Sequence, residues 1–135
     1  MKKFICLLFL IPILTGCAGP YSSVREVRDL PNLKNVVVNI PSEMAFRNLL
    51  TVVNECAAFF YDTRVHQVMQ RDGSNEIAVL APRKLGGTAI YYAAFIKPVD
   101  ASTSQIFLYW HDQARWRVVA ERSANWSLGQ GDCDL

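Results

Sequence analysis

Thr88-Ala89-Ile90-Tyr91-Tyr92-Ala93-Ala94-Phe95-Ile96 is apolar from its second residue to its last, and the reading of this stretch decides the fold. Side chains of a strand point alternately to opposite faces. Ile90, Tyr92, Ala94 and Ile96 then line one face, and Ala89, Tyr91, Ala93 and Phe95 the other. The run from Gln105 to Trp110 repeats the pattern, setting Ile106, Leu108 and Trp110 against Phe107 and Tyr109. An antiparallel sheet covered on one side alternates apolar with polar residues. Two apolar faces predict central strands that need cover on both sides.

Working outward, further strands are expected at Arg64 to Gln70 and Glu76 to Ala81. Asp72-Gly73-Ser74-Asn75 closes one hairpin; Pro82 to Gly87, with its paired glycines, closes the next. Pro98 to Ser104 supplies a third connection. Strands so closely linked argue for an antiparallel meander. Upstream, Val36 to Ile40 is a β-branched strand that Pro41 ends. Ser42 is a candidate N-cap, and a helix is expected from there to about Phe60. Phe46, Leu49, Leu50, Val53, Cys56, Ala57 and Phe60 form its apolar stripe.

Downstream, Trp116, Val118 and Ala120 permit a strand. Trp116, Val119, Ala120, Ser123, Ala124, Ser127 and Leu128 recur at helical spacing, which favours a helix over 114–128. Asp112 is its candidate cap and Gly129 its stop. The expectation is an α+β fold in two layers. An antiparallel sheet of about five strands carries two helices on one face, in the order β-α-β-β-β-β-α. That order is similar to helix-grip and TATA-binding-protein-like domains. A lipoprotein of the bacterial outer-membrane assembly machinery is built from domains of this kind, and the similarity is one of element order alone.

The N-terminus carries a different signal. Met1-Lys2-Lys3 precedes an apolar run from Phe4 to Leu14, which is too short to span a bilayer core of roughly 20 helical residues. Its length suits the central region of a secretory signal. The run ends in Leu14-Thr15-Gly16-Cys17, which resembles the lipobox of bacterial lipoproteins. The resemblance implies a signal peptide over 1–16 and a diacylglyceryl (palmitate-type) anchor on Cys17. Ala18 stands where an aspartate would retain a lipoprotein in the inner membrane. The implied location is the periplasmic face of the outer membrane, in a Gram-negative host. Residues 17–35 are polar and hold Pro20, Ser22, Ser23 and Pro31, a composition that suggests a tether. Extended, it would reach about 60 Å at about 3.4 Å per residue. The folded domain is then expected over 36–135.

Removing Lys2 and Lys3 from the 14 basic side chains leaves as many as the 12 acidic ones. A neutral mature chain lacks an overall electrostatic footprint for nucleic acid or anionic headgroups. Of the four cysteines, Cys6 leaves with the signal and Cys17 is the lipidation site, so Cys56 and Cys133 remain as a pair. In an oxidising compartment a disulfide is the default; no Cys-x-x-Cys spacing supports a redox pair.

The chemistry-bearing residues do not form a recognisable constellation. His66 and His111 belong to no ligand-spaced cluster, so no metal or other cofactor is expected. No nucleophile elbow or phosphate-binding loop is present, and an enzyme is not expected. The second apolar face stands out, with Tyr91, Phe95, Phe107 and Tyr109 as its core. Either the tether or the C-terminal tail folds over it, or it receives an envelope protein, a second copy or an apolar ligand. The expected role is a non-catalytic interaction or accessory subunit in envelope assembly or maintenance, held to the membrane by its lipid. The other reading is a ligand-binding or hydrolase-inhibitor module acting through Arg83 and Lys84 of the 82–87 loop.

Overall fold

The computed structural model describes residues 21–31, 33–60, 62–111 and 114–134. The signal segment, Cys17 and Asp112 lie outside the described residues. The elements are α1 (Val24–Arg28), β1 (Lys34–Val38), α2 (Ser42–Ala58), β2 (Arg64–Met69), β3 (Asn75–Pro82), β4 (Thr88–Pro98), β5 (Ser104–Trp110) and α3 (Ala114–Ser127). The five strands form one antiparallel sheet in the order β1-β5-β4-β3-β2. β2 to β5 are the expected meander. β1 and β2 therefore run parallel at opposite edges, and α2 crosses the sheet between them.

α2 and α3 pack side by side on one face, and the main core lies beneath them. Phe46, Leu49, Val53 and Cys56 of α2 meet Val119, Ala120 and Trp126 of α3 over Ile77, Tyr92, Ile96, Ile106 and Leu108. The segment 114–127 is a helix, because Trp116, Val119, Ala120, Ser123 and Trp126 all turn inward at helical spacing. Ser42 does not cap α2. Pro41 is the N-cap residue, and Ser42, inside the helix, donates its hydroxyl to the Gly73 carbonyl at 2.9 Å. Cys56 and Cys133 are disulfide-bonded, with Cα atoms 5.3 Å apart, and the bond returns the C-terminal tail to α2.

The described part of 17–35 is not a free tether. Ser23 caps α1 in a reciprocal box: its hydroxyl accepts from the Glu26 amide, and the Glu26 carboxylate accepts from the Ser23 amide. The helix lays Val27 on the face opposite α2 and α3, over Ala78, Ile90, Ala93 and Phe95. Val24, Leu30 and Leu33 extend that contact. The apolar demand of the second face is thus met in part by the chain's own N-terminal segment.

Candidate functional site

The second face is built from alternate residues of the three central strands. Phe95 and Ile96 of β4 stand opposite Phe107 and Ile106 of β5, which puts Phe95 and Phe107 side by side on the face that carries α1. Tyr109 and Ala93 pair next along the ladder. The structure brings Phe95, Phe107 and Tyr109 together as the sequence predicts, but not Tyr91. β3 pairs Val79 with Tyr92 and Leu80 with Ile90, so Tyr91 is an unpaired extra residue in β4. Such a bulge reverses the alternation beyond it. Ile90 moves to the α1 face, and Tyr91 packs instead with the α2–α3 core. Its ring lies 5.7 Å from that of His111 and 6.3 Å from that of Trp116.

Phe95 is sealed beneath α1, whereas Phe107 and Tyr109 stay half-buried. The cover stops short of β5. A cleft of about 340 Å³ opens between Leu30, Pro31 and Leu33 above and Phe95 and Phe107 below. Lys97 stands at its rim with Nζ 5.3 Å from the centre of the Phe107 ring. Arg28 lies 5.8 Å from the Phe95 ring and also forms an ion pair with Glu76, whose side chain is only 7 % exposed. Gln70 donates to the same carboxylate at 3.0 Å. A smaller hollow of about 240 Å³ shares Leu30 and Leu33 and reaches Tyr109, against which the Tyr21 ring sits edge-on at 5.7 Å. Partial burial raises the Tyr109 phenol above its ordinary pKa, so it is neutral and able to donate at neutral pH.

This arrangement can hold an apolar or aromatic side chain on the Phe95 and Phe107 rings, with Lys97 positioned for a neighbouring carboxylate. Arg28 and Glu76 are the residues that sequence reasoning missed. Glu76 looks like one acid among several scattered along the chain, and only the docking of α1 shows why a carboxylate is buried there.

The other singled-out residues are dispersed. His66 is exposed on edge strand β2, and His111 follows β5 beside Tyr91. Among the described residues, no three His, Cys, Asp or Glu side chains converge as metal ligands would. Arg83 and Lys84 lie in the β3–β4 hairpin, away from the cleft. No helix among the described residues is long and apolar enough to cross a membrane. No family model, curated protein or solved structure matches this chain.

Proposed function

We propose that this chain is a lipid-anchored periplasmic lipoprotein, held through Cys17, that acts as a non-catalytic interaction subunit in cell-envelope assembly or maintenance. The observation that carries the reading is the half-covered aromatic face. α1 seals Phe95 yet leaves Phe107 and Tyr109 beside open hollows, where a further side chain can complete the cover. Apolar contact area rimmed by polar groups is a protein-docking feature. The Lys97 ammonium favours a partner segment with an acidic residue next to its apolar anchor.

A photo-cross-linking residue placed at Lys97 in intact cells tests this. One adduct of defined mass, formed with an envelope protein and lost in Phe107→Glu, is the expected result. The same residue at His66, exposed on the far edge strand, should give none. Adducts that are absent, or equal from both positions, would overturn the reading. An adduct with a second copy of this chain would replace the hetero-complex by self-association.

A further inference from the structure

The β3–β4 hairpin carries the most exposed apolar side chain among the described residues. Leu85 is fully exposed at 101 %. The turn closes through its own backbone: the Gly86 amide donates to the Arg83 carbonyl at 3.1 Å, and the Arg83 amide to the Gly87 carbonyl at 3.0 Å. Gly86 and Gly87 take φ of +92° and +79°, which glycine adopts without strain. The fold therefore asks nothing of the leucine that precedes them. Lys84 precedes it, and Arg83 stands at the base of the turn.

The N-terminal chain meets the sheet at this same end. β5 leaves the sheet after Trp110, which pairs with Tyr92, and Tyr21 takes the vacated place. The Tyr21 carbonyl accepts the Ile90 amide at 2.8 Å, two residues from the Thr88–Pro82 pair that opens the hairpin. Tyr21 is four steps along the chain from Cys17, a span of at most about 14 Å. From Ile90 the chain to Leu85 spans at most about 17 Å by the same measure. A lipid on Cys17 thus keeps this end of the sheet within reach of the bilayer.

We propose that the Arg83-Lys84-Leu85 tip is a second membrane contact, with Leu85 in the interface and Lys84 at anionic headgroup phosphates. The inference rests on the lipid anchor at Cys17. A lysine next to an exposed apolar side chain suits the headgroup boundary, where the stem lies in the apolar layer and the charge in water. Neutral overall charge does not oppose this, because the fold separates the turns. Both turns at the opposite end hold an aspartate, Asp72 and Asp100, each bonded to a serine two residues on. At the hairpin end, Asp62 shares a groove with Pro82 and Thr88, and Asp134 lies beside Arg115 in the hollow next to Phe59 and Phe60. A contact too weak to bind free protein becomes effective once the anchor fixes the local concentration.

The test uses the full lipidated protein in vesicles of phosphatidylethanolamine and phosphatidylglycerol. Nitroxide labels are placed singly through Leu85→Cys or Val99→Cys, the latter in the turn at the far end of the sheet. Both sites are exposed, so labelling leaves the fold intact. Collision with oxygen relative to a water-soluble nickel chelate should be several-fold higher at 85 than at 99. Lys84→Glu should lower that ratio at 85. Equal chelate access at both sites, with intact mass showing lipid on Cys17, overturns the proposal and leaves the hairpin open to a protein partner. An intact mass without lipid removes the anchor, and the inference falls with it.

Discussion

Tyr92 lies wholly inside the core, and its hydroxyl sits 2.7 Å from that of Ser123. Ser123 already donates to the Val119 carbonyl at 2.7 Å, so the phenol must be the donor between the two. Burial raises the pKa of Tyr92 far above its ordinary value, which keeps that proton in place. The two partners are therefore not equivalent. Tyr92→Phe removes a donor and leaves Ser123 bonded, at a cost of about 0.5–1.5 kcal/mol. Ser123→Ala strands a buried hydroxyl without an acceptor and should cost about 1–3 kcal/mol. Urea denaturation of both variants and of the double variant checks the order, and equal single costs would refute it. The pattern of apolar residues announces that Tyr92 is inside. It cannot announce the bulge one residue earlier, which depends on how β3 and β4 register and which sends Tyr91 away from Phe95.

Elements with long periodic stripes were legible: α2, α3 and the four meander strands lie within a residue or two of their expected limits. The short α1 was not. Five residues, Val24–Arg28, hold too little periodicity to stand out from a polar stretch, and an isolated helix of that length does not persist in water. Its stability is borrowed from the cap and from docking of Val27 and Arg28. The cap makes the element sensitive to acid. Amides of Ser22 and Ser23 donate to the Glu26 carboxylate and hold its pKa below the ordinary 4.5. A lowered folded pKa contributes stability that is complete above 4.5 and is lost as pH falls through the lowered value. Asp72 and Asp100 titrate in the same direction at the far end of the sheet, so a global melt would mix the effects. Hydrogen exchange separates them. Relative to intrinsic rates, protection of the Val27 and Leu30 amides should fall in acid, as Glu26 is protonated, before that of the central strands. Glu26→Gln, which can still accept from Ser23, should remove most of that dependence. Loss of protection that is uniform along the chain would contradict it.

At the scale of the molecule, the last residues are joined to the middle of the fold rather than to their neighbours. α3 runs away from the hairpin end, and Gly129, with φ of +75°, ends it near Asn48. The tail then returns along the helices, where Arg122 donates to the Asp134 carbonyl and Gly131 packs on Trp126. Cys133 meets Cys56, which is buried in the stripe of α2. A separation of 77 residues makes the closed loop long. Cross-linking it removes chain entropy from the unfolded state equivalent to about 4.5 kcal/mol, an upper figure because unfolded chains retain structure. Small domains hold only about 5–15 kcal/mol in all, so the bond carries a large share. Cys56→Ala with Cys133→Ala should keep the sheet and both long helices, since their cores do not depend on the tail. Its urea midpoint should drop steeply, with a free-energy loss between about 2 and 5 kcal/mol. Reductant should lower the midpoint of the parent protein to that of the double variant and leave the variant unchanged. A loss below about 1 kcal/mol would show that the tail and α2 are already held together by packing, and that the bond only records their proximity.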